Sequence, residues 1–446
     1  MKFTPLGGGR EIGANCYLIN IAGLDILIDA GRHPVREGYE SLPYIENLKK
    51  IDYIIVSHAH YDHLSSLPYI LKEFPNAKVI TAKQNKALSI RILRNSVEVM
   101  KKNYEKDGEP LLYNHKQVKE TKRHIISLPY YKKQKLSKGA YVTLYPAGHV
   151  MGASSILIEH QKKRYFYTGD ISLSDQYTIP AATLPEDIDV LISEGTYGLK
   201  EGYGATRFDE LKRLNEKLAS VLENKGRALL PVFALGRGQE VLDMILKMME
   251  DKKIPKVPIY INGMVLVITE LYLKDYLGIE DEQREWFTES IAQHVKVMPK
   301  RIEPVLNSNR PMILILSSGM LIEETLSYIF AKEIIKSGKN AVLFMGYQSP
   351  ESNGYRLLEA YRNREEEIIF SENGEDFKPI ELKSDVDIYN FSGHASYNEL
   401  IQLPRDLQPS KLIYVHGDEE ALLNLKDELK YEFDIEIPAN LECIEF

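Results

Sequence analysis

The chain has 446 residues, 44% apolar and 27% charged, the composition of a globular protein with room for two or three structural units and a sizeable core. A formal net charge of −8 argues against a basic protein that coats nucleic acid, and no apolar run approaches the ~18 residues of a membrane helix. Two cysteines, Cys16 and Cys443, read as buried thiols of a cytoplasmic protein rather than a disulfide scaffold, and Met1-Lys2-Phe3-Thr4 runs into strand-like sequence with no leader pattern.

Residues 2–29 read as a strand meander, with a turn at Gly7-Gly8-Gly9 and strands at 15–21 and 24–29. Asp29 closes the second strand, as a turn cap or as a support for a neighbouring site. The run Ile51–Val56 is a short buried strand that ends in His58-Ala59-His60-Tyr61-Asp62-His63. Imidazoles and a carboxylate packed at a strand end predict a metal site at a sheet edge. Helices follow at 64–72 and 83–105, and Lys83, Lys86, Arg91, Arg94, Lys101 and Lys102 read as a solvated face of the second. Residues 106–140 read as a connection, with Tyr130-Tyr131-Lys132-Lys133 at its centre as surface.

The strand at 141–145 ends in Gly148-His149, the strand at 164–167 in Thr168-Gly169-Asp170, and the strand at 188–192 in Ser193-Glu194. A further strand lies between them at 155–158. Four strands thus end in metal-type or acid-type residues, which predicts convergence on one sheet edge. Near residue 199 the pattern changes. Helices at 208–224, 240–250, 264–277 and 323–336 alternate with strands at 228–232, 257–261, 311–316 and 340–346. That alternation predicts a parallel sheet in a second α/β unit inserted into the first. His294 is its lone metal-type histidine. From about 386 the first pattern returns. A strand at 386–390 ends in Ser392-Gly393-His394-Ala395, and one at 411–415 ends in His416-Gly417-Asp418. A helix at 419–431 and a strand at 441–446 finish the chain.

Six of the eleven histidines (His58, His60, His63, His149, His394 and His416) lie in these strand-end segments. Together with Asp62 and Asp170 they predict metal binding. Imidazole nitrogen and carboxylate oxygen suit zinc, with manganese or iron less apt, and the absence of cysteine from the motifs excludes a thiolate site. His58 and His60 are two apart, so in extended backbone they face the same side and can share an ion. Asp62 and His63 can face a second ion, and Asp170 can bridge the two.

His58-Ala59-His60-Tyr61-Asp62-His63, Gly148-His149 and Thr168-Gly169-Asp170 resemble the His-x-His-x-Asp-His signature and later ligands of the metallo-β-lactamase fold. Glu194, His394 in Ser-Gly-His-Ala, and His416 in Val-His-Gly resemble motifs A, B and C of its β-CASP nucleases. The stretch Pro231–Glu240 is similar to RNA-cleaving members of that family. The resemblance covers nearly the whole chain. It implies an αββα metallo-β-lactamase sandwich at 1–198 and 386–446, with a β-CASP domain inserted at 199–385 and closing a cleft over the metals. It implies two Zn2+ ions, with Mn2+ as the substitute. His58, His60 and His149 would hold one, Asp62, His63 and His416 the other, with Asp170 between them. Asp29 would orient the site, and His394, paired with Glu194, would act on the leaving oxygen. Ser392, Gly393, Ala395 and Arg237 would lie near a substrate phosphate, with a structural salt bridge as the other reading of Arg237.

The activity so implied is hydrolysis of RNA phosphodiester bonds by a hydroxide bridging two metals, as an endonuclease, a 5′-exonuclease or both. Implied partners are RNA and either a second copy or an RNA-processing complex, with no membrane. The chain shows neither the N-terminal KH domains of some archaeal relatives nor the C-terminal extension of ribonuclease J, and so reads as a bare catalytic core. The alternatives are a thioesterase or lactonase of the same superfamily, a DNA-directed β-CASP nuclease, and an inactive scaffold subunit. The insertion and the three extra motifs speak against the first, and the full ligand set against the last.

Overall fold

The computed structural model describes residues 1–199, 206–275, 281–372, 375–376 and 378–446. They form two compact units. One comprises Met1–Asp175, Ile179–Tyr203 and Gly393–Phe446; the other comprises Gln176–Thr178 and Gly204–Ser392.

Among the described residues, the first unit holds two seven-stranded sheets. One runs in the order Ile444–Glu445, Lys2–Gly7, Cys16–Ile21, Leu24–Ile28, Tyr53–Ile55, Lys78–Ala82, Ile125–Leu128. The other runs Ile435–Glu436, Lys411–Val415, Val190–Glu194, Lys163–Tyr167, Ser154–His160, Tyr141–Pro146, Gln134–Lys135. Side chains alternate across each strand, and the alternation explains the layering. Ile156, Ile158, Tyr165, Tyr167 and Ile192 meet Tyr17, Ile19, Ile26 and Ile55 in one buried cluster between the sheets. Leu157, Phe166 and Leu191, on the opposite face, pack instead against Leu400 and Leu403 of the helix Tyr397–Leu407 and Leu422 and Leu425 of the helix Glu419–Leu429. Burying each such side chain contributes about 1.5–3 kcal/mol.

This layering positions the site. Lys163–Tyr167, Val190–Glu194 and Lys411–Val415 are parallel neighbours in register. Glu194, the last residue of its strand, and the following segments that carry Asp170 and His416 therefore lie at one sheet edge. Asp29 (φ 63°) and His416 (φ 50°) both sit in the left-handed region, where a non-glycine residue stays only if its surroundings hold it. Here the His416 amide donates to the Gly8 carbonyl at 2.9 Å and the Asp29 amide to that of Ile55 at 2.9 Å.

The second unit holds a parallel sheet in the order Val295–Val297, Ile259–Ile261, Met312–Leu316, Arg227–Pro231, Ala341–Phe344, Asp385–Ile388. Both faces are covered, as a parallel sheet requires. Leu230, Ile313 and Ile315 pack on one side with Leu218, Val241 and Ile245; Leu229, Leu314 and Leu316 pack on the other with Phe330, Ile334 and Leu357.

Several expectations are corrected. The strand expected at 386–390 to reopen the first pattern is Asp385–Ile388, and it pairs with Ala341–Phe344 in the second unit. Its partner is chosen by long-range backbone pairing, which Asp-Val-Asp-Ile does not encode. Residues 106–140 are not a plain connection. They contain the helix His115–His124, begun by an Asn114–Gln117 capping box, and the strand Ile125–Leu128. The helix is easily overlooked because Val118 and Thr121 are its only buried residues. The helices Asp281–His294, Asn353–Arg362 and Tyr397–Leu407 were not anticipated. The last strand contracts to Ile444–Glu445, and positions 276–277 of an expected helix lie outside the described residues. Cys16 is buried, but Cys443 is exposed because it lies in the irregular stretch before that short strand.

The helix Arg237–Glu250 is buried along most of its length and includes Asp243, whose Oδ2 has no hydrogen-bond partner. Burial, then the Glu240 carboxylate, pushes Asp243 up to about 7 against the pull of Lys247. An unfolded aspartate titrates near 3.9, so the folded state holds this proton more tightly and loses stability as pH rises from about 4 to about 7. At about 1.4 kcal/mol per unit the loss is on the order of 4 kcal/mol. Asp243→Asn is therefore expected to raise the thermal midpoint at pH 8 and to change it little at pH 4. Melting curves at both values check this, and equal shifts at both would refute it.

Candidate metal centre

The ligand-type residues of the first unit meet in two adjoining groups. Nε2 of His58 and Nε2 of His149 each lie 3.0 Å from Nδ1 of His60. Asp170 Oδ2 is 3.5 Å from the first and 3.6 Å from the second. In the other group His63 Nε2 and His416 Nε2 lie 3.5 and 3.3 Å from Asp62 Oδ2. Asp170 Oδ1 completes it, 3.3 Å from His63 Nε2 and 3.4 Å from His416 Nδ1. The two oxygens of Asp170 thus face different groups. Ligand atoms about 2.0–2.1 Å from a tetrahedral ion sit roughly 3.3 Å apart, and these separations match.

Outer partners fix which ring nitrogens point inward. Ser57 Oγ donates to Asp29 Oδ2 at 2.8 Å, so it accepts from His58 Nδ1 at 3.0 Å. His149 Nδ1 donates to the Gly393 carbonyl at 2.8 Å, and His63 Nδ1 to Asp29 Oδ2 at 2.8 Å. In His58 and His149 the Nε2 lone pair is left facing the group, and in His63 Nε2 is the ring nitrogen turned toward it, which is how metal-binding histidines are oriented. Asp29 also accepts from the Ser57 amide at 2.7 Å and from the Tyr167 hydroxyl at 3.2 Å. It is fully buried and its carboxylate is engaged by His63, Ser57 and Tyr167.

The electrostatics call for cations. Burial, with the neighbouring imidazoles of His63 and His394 respectively, holds His58 and His149 well below the usual histidine range. They are neutral, the ligating form. Burial alone would raise Asp62 and Asp170, but His63 and His416 hold both well below the carboxylate range. His63 goes the other way: against burial, the carboxylates of Asp170, Asp62 and Asp29 raise it well above its usual value. Asp170 Oδ1 is buried without a hydrogen-bond partner. A buried carboxylate oxygen in this state is the acceptor a divalent cation fits. The residues present fit two divalent metal ions.

His394 sits at the rim. Its Nδ1 donates to Glu194 Oε2 at 2.8 Å, while its Nε2 is 3.9 Å from Asp170 Oδ2. Against burial, the carboxylates of Glu194 and Asp170 push His394 up to about 9. Glu194 is itself held by the Ile171 amide at 2.6 Å and the Thr196 hydroxyl at 2.5 Å. The arrangement presents a fixed N–H donor next to the ligand groups.

Gly393 contributes the carbonyl that orients His149, and Ala395 is buried among Leu157, Phe166 and Leu400. Ser392 and Arg237 belong to the second unit. There the Ser392 carbonyl accepts from Arg207 at 3.4 Å, and the largely buried Arg237 donates to Gln176 at 3.4 Å. Three residues escaped the sequence reading. Asn15 Nδ2 lies 3.1 Å from Asp62 Oδ2 and 2.9 Å from His63 Nε2; Thr196 Oγ1 lies 3.0 Å from His416 Nδ1; Ser57 links His58 to Asp29. Ser57 and Thr196 each adjoin a recognised motif, a signal that was available. Asn15 carried none.

Residues 9–111 match the metallo-beta-lactamase superfamily, residues 238–357 the Beta-Casp domain, and residues 379–439 the Zn-dependent metallo-hydrolase RNA specificity domain. The chain is 34% identical over 449 residues to the Probable RNase MJ4 of Methanocaldococcus jannaschii, covering 98% of each. It is 30% identical over 460 residues to Endoribonuclease YSH1 of Gibberella zeae, covering 96% of this chain and 54% of that one. A solved protein of unknown function from Enterococcus faecalis V583 shares the fold with a TM-score of 0.60 at 15% identity, covering 99% of both chains.

Proposed function

Since the chain belongs to the β-CASP ribonuclease family of the metallo-β-lactamase superfamily, we propose that it hydrolyses RNA phosphodiester bonds at a two-zinc centre. One observation carries the reading: a complete ligand set, two-sided at Asp170, stands beside a histidine that a buried glutamate holds in place. His58, His60, His149 and Asp170 would hold one ion; Asp62, His63, His416 and Asp170 the other. Bound divalent ions supply Lewis-acid charge and a water acidic enough to ionise near neutral pH. The all-nitrogen-and-oxygen donor set supports zinc, with manganese as the substitute.

The protein's own groups do the rest. Asp29 and the Gly393 carbonyl keep the imidazoles turned inward. Glu194 keeps His394 Nδ1 occupied, so that its Nε2–H is the atom offered to substrate. A proton passed from that nitrogen to the departing 3′-oxygen leaves a 3′-hydroxyl, with the phosphate on the new 5′ end. Ser392 and Arg237 are proposed to contact substrate phosphates.

Linear RNAs with 5′-monophosphate or 5′-triphosphate ends, and a circular RNA of the same sequence, test this with zinc or manganese supplied. Hydrolysis to 5′-phosphate and 3′-hydroxyl ends is expected. Opened circles assign an endonuclease; shortening of the monophosphate form alone assigns a 5′-exonuclease. Turnover of a thioester or lactone with every RNA intact would overturn the reading.

A further inference from the structure

The helices Asn85–Asp107 and His115–His124 line a cavity of about 550 Å³ in the first unit. Its walls are Ile90, Arg94, His115, Lys119, Lys122 and Arg123. Four of the six are full cations, and none is an acid. Among the described residues, none of those four side chains forms an ion pair or hydrogen bond. His115, Lys119, Lys122 and Arg123 fall at i, i+4, i+7 and i+8, one face of their helix.

The helix dipole favours Lys122 and Arg123 in the last turn, but it accounts for neither Lys119 nor Arg94. Val118 and Thr121 anchor the helix to the core, and like charges at this spacing weaken it. A solvated face would interleave signs, yet Glu120 is the only acid in this helix and it is not part of the wall. A concentrated set of cations in a chain of net charge −8 raises the local positive potential that attracts anions. His115 pairs with the Glu98 carboxylate, so the cations on this helix run from Lys119 to Arg123, about 6 Å, and Arg94 on the facing helix extends the set. No aromatic ring lines the cavity, so the contact would be to backbone and not to bases.

The cavity is also tied to the metal centre. A Cβ on Gly152, just past His149, would come within 2.5 Å of the Asn85 amide nitrogen. Asn85 Nδ2 donates to Thr81 Oγ1 at 2.7 Å, and Thr81 Oγ1 donates to the Val56 carbonyl at 2.8 Å, two residues before His58. The helix therefore starts at the ligand loops, and Arg94 lies nine residues along it, about 14 Å further. Over that distance a single strand held at the metals would need only a few nucleotides to reach the cavity.

We propose that this cavity is a second grip on the RNA strand, holding its phosphate backbone without regard to sequence, a few nucleotides from the scissile bond. This rests on the RNA reading above. The test compares the wild-type chain with the exposed-residue triple variant Lys119→Ala/Lys122→Ala/Arg123→Ala. The ligand is a 2′-O-methyl phosphorothioate oligouridine of about 24 nucleotides, which resists hydrolysis, titrated by fluorescence anisotropy at several salt concentrations. Each lost phosphate contact removes about 0.7 from the log–log salt slope, so the slope is expected to fall by about 2 and low-salt affinity by tenfold or more. An oligomer of about 6 nucleotides centred on the metals should bind both proteins alike. Unchanged slope and affinity for the long oligomer would overturn the proposal. So would inorganic pyrophosphate shielding Lys119 and Lys122 from acetylation as well as the long oligomer does, because the cavity would then be a small-anion site. Hydrolysis of unmodified RNA is scored separately. Its absence would overturn the cleavage reading alone, while analogue binding would still report on the cavity.

Discussion

Asp170→Ala is expected to abolish hydrolysis and to lower the bound metal together. Asp170 is the one residue whose two carboxylate oxygens face different ligand groups, one toward His58 and His149, the other toward His63 and His416. Removing it takes a ligand from both groups at once and leaves buried imidazoles without the carboxylate that balances a cation. Lewis-acid stabilisation is worth several kcal/mol, so the loss in turnover should be about 10³-fold or more. His60→Ala strips one ligand from one group and should leave part of the metal in place. Metal content per chain, measured beside RNA turnover, separates the two variants. Full activity in Asp170→Ala would refute the two-metal site. Circular dichroism guards against a trivial failure to fold.

The second large effect is expected in His394→Ala: metal retained, turnover slower by ~10²–10⁴, the usual contribution of a proton-transfer group. His394 lies at the rim, its Nδ1 engaged by Glu194 and its Nε2 no nearer than 3.9 Å to Asp170, so its removal spares the ligands. Glu194→Gln should cost less, because it loosens the ring without removing it. A further comparison isolates the role. Bis(p-nitrophenyl) phosphate has a leaving oxygen that needs no proton, and its hydrolysis should barely respond to His394→Ala. An equal loss on that substrate and on RNA, or loss of metal from the variant, would show that His394 holds the site together instead.

The convergence of these side chains was legible because most of them lie at or just past a strand whose burial is written locally, as in Ile51–Val56 before His58. Counting such strand ends was enough to bring His149, Asp170 and His416 together across more than half the chain. What was not legible depends on neighbours remote in sequence. Asn15 reaches Asp62 and His63 only because the strand Cys16–Ile21 is paired beside Leu24–Ile28, which in turn adjoins Tyr53–Ile55. Asp385–Ile388 joins the second unit through its pairing with Ala341–Phe344, although a short strand of alternating acids and aliphatics fits either sheet. The helix His115–His124 was hidden by its polarity, and the same polarity makes it a candidate grip on substrate.

The route of the chain has a consequence for biosynthesis. The second unit is spliced between Asp170 and His416, so His416 is translated 246 residues after the carboxylate it lies beside. At ~5–20 residues per second, that interval is on the order of 12–50 s. Throughout it the nascent chain carries the whole His58–His63 cluster without His416, and His394 joins it only in the last 22 residues. A polypeptide released early, or stalled anywhere before residue 416, therefore lacks one member of the Asp62–His63–His416 group.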